Sequence, residues 1–371
     1  QTNAPSGGAG HRTSLRGGGP LTTVVLGDGS ESNTLWQMVW LNVLEEDTFL
    51  RTCGNPAKTA EEDKFPWLAP TRTSEPNSGR ETNSEDVHPA QMFWGMPRRI
   101  RLSLDDCVKS ICDICGALDS NCIRAYRTKN YGVNYTGPWL HPLSPHTRKE
   151  GIPVPVHAQP GGVSYRHWLG LVQEDEKRSR EPSRIVHHFR ENRQKAEDPF
   201  RLWVFGYDMD KMKARCWYES TMPLIPLRRE IREQYAQNVA AMVLAASQVA
   251  ANLRACVKKA WFKRPSDVKG DTSFVDSDLW QMTEDGFYTM LNELRSVLEE
   301  GNEATQVMKR WHHFLSQKAL SIFDGLAWKC PVEDADPKRV VLARLDLMKS
   351  NNSRRITVDL LGLPRLSRKE V

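Results

Sequence analysis

The stretch LRREIREQYAQNVAAMVLAASQVAANLRACV, residues 227–257, spaces Leu227, Ile231, Tyr235, Val239, Met242, Ala246, Val249, Leu253 and Val257 three or four positions apart. That recurrence draws one apolar stripe along a single long α-helix. Pro265 ends the run, since proline lacks the amide donor a helix needs and clashes with the preceding turn. The pattern then repeats downstream. Asp276 or Ser277 can cap a second helix through Trp280, Phe287, Leu291, Leu294 and Leu298. Gly301 and Asn302 break the chain before a third, which carries Val307, Trp311, Phe314, Leu315, Ile322 and Phe323. Pro337 suits the first position of a fourth, through Val341, Leu345 and Met348. Four amphipathic helices with short connections predict an up-down four-helix bundle over residues 223–371.

Upstream of Pro223 the texture changes. Short β-like runs at 22–26, 94–104, 165–172 and 202–207 alternate with polar loops, and an amphipathic helix is expected over 34–44. Residues 53–91 are crowded with Pro, Ser, Thr, Asn and Glu, a long irregular loop. Residues 174–197 are dense in charge and read as a solvated helix or a loop. The expected class is α+β: an irregular mixed α/β domain over 1–222, then the bundle.

Composition narrows the function. The chain has 371 residues, 39% hydrophobic and 26% charged, with a mean hydropathy of −0.56, the balance of a soluble globular protein. No unbroken apolar run reaches the roughly 18–20 residues of a membrane span, so no membrane partner is expected. A net charge of +5 excludes a histone-like polycation but permits a local basic groove. Eight scattered cysteines fit a reducing, cytoplasmic setting. The chain opens on Gln1 rather than Met and shows no signal peptide, so we expect a fragment or processed piece.

No phosphate-binding P-loop, HExxH or GxSxG motif occurs, and the carboxylates are too scattered for a two-metal nuclease. The expectation is therefore a protein that is not an enzyme. The opening SGGAGHRTSLRGGGP places Ser6, Gly7, Gly8 and Ala9 beside His11, Arg12 and Arg16, and no acidic residue precedes Asp28. Glycine allows close approach of backbone to a ligand, so this segment is either a nucleic-acid contact or a plain structural loop. Cys112 and Cys115, in CDICG, have the gap that lets two thiolates grip one zinc ion. Structural zinc takes four ligands. The set is completed either by Cys107 and Cys122 or by a second pair upstream of Gln1. Next, Arg124, Arg127 and Lys129 interleave with Tyr126, Tyr131 and Tyr135, a mixture suited to phosphate contacts and stacking. On the first predicted helix, residues 227–264 hold eight basic against two acidic side chains, including Lys258, Lys259 and Lys263. One face of the bundle is expected to form a phosphate track.

Taken in order, LRGGGPLTT (15–23), FWGMPRRIRL (93–102), CDICG (112–116), GPWLHPLSP (137–145) and FGYDMDKMKARCWYESTMP (205–223), followed by a helical bundle, resemble one family. This is the CasA-type large subunit of the type I-E CRISPR surveillance complex, Cascade. The resemblance covers essentially the whole chain. It implies a protein that reads the protospacer-adjacent motif of double-stranded DNA through the minor groove and helps open the duplex for the guide RNA. Its implied partners are the small-subunit dimer, the crRNA-bound backbone of the complex, and the helicase-nuclease recruited once the R-loop has formed. By the same resemblance Ser6, Gly7, Gly8 and Ala9 match the glycine loop that lies on the groove. Lys129 matches the lysine finger, although strict spacing from Gly137 points to Asn130. Lys211 or Met212 stands at the wedge, where the family typically has an amide. Arg12, Arg127 and Arg215 join Lys258, Lys259 and Lys263 as expected backbone contacts. The resemblance also implies a further N-terminal segment that ends in the first CxxC, with Cys112 and Cys115 as the second pair. The competing readings are a divergent nucleic-acid-processing enzyme and a zinc-stabilised protein scaffold.

Overall fold

A computed structural model describes residues 21–29, 34–53, 58–94, 99–157, 161–175, 179–194, 200–210, 213–267, 270–329 and 336–364. Its strands are β1 (Thr23–Asp28), β2 (Glu81–Thr82), β3 (Arg99–Leu102), β4 (Val108–Ile111), β5 (Leu118–Cys122) and β6 (Tyr126–Lys129). They continue with β7 (Asn134–Tyr135), β8 (His146–Lys149), β9 (Ile152–Pro155), β10 (Arg180–Glu181), β11 (Phe200–Asp210) and β12 (Lys213–Pro223). The helices are α1 (Leu35–Leu41), α2 (Glu46–Cys53), α3 (Glu61–Lys64), α4 (Arg184–Asn192), α5 (Arg232–Trp261), α6 (Ser273–Glu299), α7 (Thr305–Asp324) and α8 (Pro337–Asn351). The fold is mixed α/β with a helical C-terminal region.

Strands β11 and β12 form a long antiparallel hairpin, and β1 adds to its other edge, from Thr23 opposite Phe205 to Asp28 opposite Phe200. Alternation along these strands sets the two faces. Val24, Leu26, Leu202, Val204 and Met222 are buried, while Trp203, Tyr207 and Trp217 on the opposite face are exposed. The remaining strands form small sheets: β10-β8-β9, and the pairs β2-β7, β3-β6 and β4-β5.

The periodic segment becomes α5, preceded by a short 3-10 turn over Arg229–Ile231. Arg229–Trp261 is long and apolar enough to pass for a membrane span by length and composition. In the structure Tyr235, Val239, Met242, Ala246, Val249, Leu253 and Val257 are buried instead, with α6, α7 and α8 packed against the helix. Burial of each large apolar side chain stabilises the packing by roughly 1.5–3 kcal/mol. Pro337 does open α8, after Asp336 caps it by accepting from the Lys338 amide at 3.0 Å. The α6 boundary differs from the expectation. The helix starts at Ser273, so Asp276 lies in its first turn and binds Arg254 on α5 rather than capping.

The strand expected over 165–172 is absent. Residues Tyr165–His167 form a 3-10 turn, and Gly170 has φ +87. Tertiary demand explains the difference, because Tyr165 and Trp168 plug the junction between the sheet region and the helices. The Tyr165 ring stacks on Phe287 at 4.3 Å and meets Trp280 edge-on at 5.1 Å. Its hydroxyl lies 2.9 Å from Thr283 Oγ1, which itself donates to the Leu279 carbonyl at 2.6 Å. Tyr165 is therefore the donor. Trp168 Nε1 donates to the Pro223 carbonyl at 3.1 Å, and Gln173 Nε2 to the Arg232 carbonyl at 2.8 Å. One apolar core thus runs from Leu21 through Tyr165 and α5 to Leu363.

Candidate functional site

The β3-β6 ribbon pairs Arg99 with Lys129, Ile100 with Thr128, Arg101 with Arg127 and Leu102 with Tyr126. Directly opposed residues share a face, and alternate residues along a strand return to it. One face therefore carries Arg99, Arg101, Arg127 and Lys129, and the other Ile100, Leu102, Tyr126 and Thr128. Arg99 is half-buried; the other seven are exposed. The sequence reading singled out Lys129 and Arg127 but missed Arg99 and Arg101. The alternation in RRIRL carried that signal; what it lacked was the pairing partner.

Lys129 does not stand alone. Its Nζ lies 3.2 Å from Glu75 Oε1, and Arg99 Nη2 reaches the same oxygen at 2.8 Å. Ser78 Oγ donates to Glu75 Oε2 at 3.0 Å. The Arg99 hydrogen bond, then those of Lys129 and Ser78, hold the Glu75 carboxyl below its ordinary pKa. Arg99 also donates to the Asn130 carbonyl at 3.3 Å, so the runner-up finger position helps anchor the ribbon's end.

Cys112 and Cys115 occupy the turn between β4 and β5. Gly116 closes it with φ +71, donating its amide to the Cys112 carbonyl at 2.8 Å. The backbone amides of Cys115 and Ile114, with the Cys115 thiol, push the Cys112 thiol below its ordinary pKa. Two adjacent thiols with amide donors on sulfur are a donor set that fits half of a tetrahedral zinc site. Cys107 and Cys122 lie toward the opposite end of the same hairpin. Val108 pairs with Cys122 at the open end of the hairpin, about 13 Å from its tip at the rise of an extended strand. Among the described residues no group of three or more His, Cys, Asp or Glu is placed to hold a metal.

Other expected contacts are partly engaged. Arg215 on β12 binds Asp208 at 2.7 Å. Lys259 binds Asp346 on α8 at 2.9 Å, Lys258 is half-buried, and Lys263 is exposed beyond the end of α5. Arg229 and Arg232 both bind Glu191 of α4. Ser6, Gly7, Gly8, Ala9 and Arg12, and the wedge candidates Lys211 and Met212, lie outside the described residues. The sequence reading also missed an aromatic ladder on the open face of the β11-β12 hairpin. There Trp203 meets Phe205 at 4.5 Å, Phe205 meets Trp217 at 5.3 Å, and Trp217 meets Tyr207 at 4.9 Å. A cavity of about 720 Å³ between α4 and the start of α5 is lined by residues of both signs, including Arg148 and Glu181 bound to each other at 2.5 Å.

Comparison with known proteins supplies the rest. No curated protein matches the chain. Among solved structures it is similar to a CasA from Thermus thermophilus, at 14% identity and TM-score 0.57, covering 97% of this chain and 69% of that one. It is similar to Thermobifida fusca Cse1 at 16% identity and TM-score 0.53, covering 89% and 62%. A chain of a structure described as a CRISPR RNA-guided surveillance complex matches at 16% identity and TM-score 0.57, covering 94% and 65%. The chain thus spans about two thirds of the length of these relatives. The family model for CRISPR-associated protein Cse1 matches residues 1–322, and the chain belongs to the Cse1 family.

Proposed function

We propose that the protein serves as the non-catalytic large subunit of a type I-E CRISPR RNA-guided surveillance complex, Cascade. In this role it recognises the protospacer-adjacent motif of double-stranded DNA from the minor groove and helps open the duplex. The observation that carries the reading is the family match, joined to a paired basic ribbon that bears Lys129. The ribbon supports it physically: exposed Arg and Lys side chains on a stiff two-stranded element can follow a phosphate backbone while one of them enters the groove. The glycine loop at Ser6, Gly7, Gly8 and Ala9 is assigned to close backbone approach. Lys211 or Met212, between β11 and β12 in the chain, is assigned to the wedge, where inserted contacts offset the cost of unstacking.

The division falls near Pro223, between a motif-reading region (1–222) and a four-helix bundle (223–371). The bundle's basic end, with Lys258, Lys263 and Arg264, supplies backbone contacts. Protein partners are the other Cascade subunits, including the small-subunit dimer and the crRNA-bound backbone, and later the helicase-nuclease, all in the cytoplasm. Cys112 and Cys115 would hold a structural zinc ion together with two ligands from outside the described residues. Zinc would fix the β4-β5 turn, while Cys112 and Cys115 supply thiolate charge and geometry.

The test is duplex binding by the full-length protein reconstituted with the rest of the complex. Lys129→Ala should erase the preference for motif-bearing over motif-less duplex while leaving weak general binding. Equal preference in parent and variant removes Lys129 from the finger role. Metal-dependent cleavage by the isolated chain, abolished by a single carboxylate change, would replace the whole reading with a nuclease.

A further inference from the structure

The basic face of the β3-β6 ribbon consists of two rungs, Arg99 opposite Lys129 and Arg101 opposite Arg127. Like charges directly across a strand pair destabilise it, so each rung needs an anion. The first has one. Glu75 takes both Arg99 and Lys129 on a single oxygen, and its own position is fixed by Ser78 and a tight turn. In that turn the Gly79 amide donates to the Glu75 carbonyl at 2.8 Å, and a Cβ on Gly79 would fall 2.4 Å from that oxygen. The second rung is open. Among the described residues neither Arg101 nor Arg127 makes a side-chain hydrogen bond or ion pair, and both are exposed.

We propose that Arg101 and Arg127 form a clamp for one duplex backbone phosphate, and that Glu75 is a specificity-determining residue that denies the neighbouring rung the same use. Two guanidinium groups on strands roughly 4.8 Å apart can each give a forked pair of N–H donors to a phosphate's two free oxygens. With Lys129 held on Glu75, the finger must give up an ion pair to reach an arbitrary phosphate. It leaves Glu75 only where the groove returns more than the carboxylate did. The clamp thus fixes position and the Glu75 pair sets discrimination, which separates backbone contacts from base contacts within one ribbon. The inference rests on the duplex-reading role of Lys129 proposed above.

The experiment titrates binding of the reconstituted complex against salt, on motif-bearing and motif-scrambled duplexes. Losing one phosphate contact should flatten the slope of log K against log salt by about 0.9, about eightfold in affinity at 0.1 M salt. Arg101→Gln with Arg127→Gln should show that loss on both duplexes, leaving the preference between them intact. Glu75→Gln should do the reverse: the scrambled duplex tightens by up to about eightfold, its slope steepens, and the preference shrinks. Lys109→Gln, an exposed charge on neighbouring β4, controls for net charge. An unchanged slope in the double variant, an unchanged scrambled-duplex affinity in Glu75→Gln, or an equal effect of Lys109→Gln would each overturn the proposal. A parent complex without motif preference would instead sink the duplex-reading role, while the slopes still test the clamp.

Discussion

Gly286 lies in the middle of α6, facing α7, and its replacement by alanine sets two effects against each other. Alanine is favoured over glycine in a helix interior by about 1 kcal/mol. A Cβ at 286, however, would sit 2.3 Å from Phe314 Cε1 and 2.4 Å from Cζ, where 3.4 Å is an ordinary contact. The ring must retreat by about 1 Å. It is half-buried, stacked on Trp311 at 6.0 Å and covered by Lys318 Nζ at 5.4 Å, so its retreat disturbs these contacts. Overpacking of this kind costs about 1–3 kcal/mol. Gly286→Ala should therefore destabilise by about 1 kcal/mol net. In a Phe314→Ala background the clash disappears and the propensity remains, so the same change should stabilise by up to about 1 kcal/mol. Urea unfolding of all four species, followed by Trp fluorescence with the slope m held common, measures the cycle. If Gly286→Ala stabilises in both backgrounds, Gly286 does not mark close approach of α6 and α7.

Three further outcomes follow from the geometry. Burial pushes His141 to about 4 and His146 to about 3, both below the unfolded value near 6.5. The stability that their neutral rings supply is complete above about pH 6.5 and drains as pH falls toward 4, by roughly 2–3 kcal/mol per pH unit near pH 5; a flat urea profile from pH 7 to 5 would contradict it. Amide donors lower the Cys112 thiol while burial raises that of Cys53, so in chelator-treated, metal-free protein iodoacetamide should label Cys112 far faster at neutral pH, and comparable rates by mass spectrometry would refute the turn geometry. Lys258→Gln with Lys263→Gln should flatten the salt slope of duplex binding by up to about 1.8, whereas Lys259→Gln, already bound to Asp346, should change it little and cost stability instead; equal slopes in all variants would remove the basic track.

The helical region was legible because its signal is local. Leu227 to Val257 repeat at the helical period, Pro337 follows its own cap, and no distant residue is needed to read either. The 202–207 strand was legible for the same reason, since alternation survives as the buried and exposed faces of β11. The 165–172 segment was misread because its apolar residues answer to Phe287, Trp280 and Pro223, all distant in sequence.

The site divides along the same line. Residue types and the order of motifs named Lys129, Arg127 and the Cys112–Cys115 turn, because chemistry and spacing along the chain are written in the sequence. Only folding placed Arg99 and Arg101 beside them, 26 to 30 positions away in the chain. Only folding brought Glu75 onto Lys129 and Asp346 onto Lys259. A single chain position states whether a side chain is charged. Whether that charge is free to meet a ligand depends on counter-ions that strand register and helix packing deliver from far along the chain.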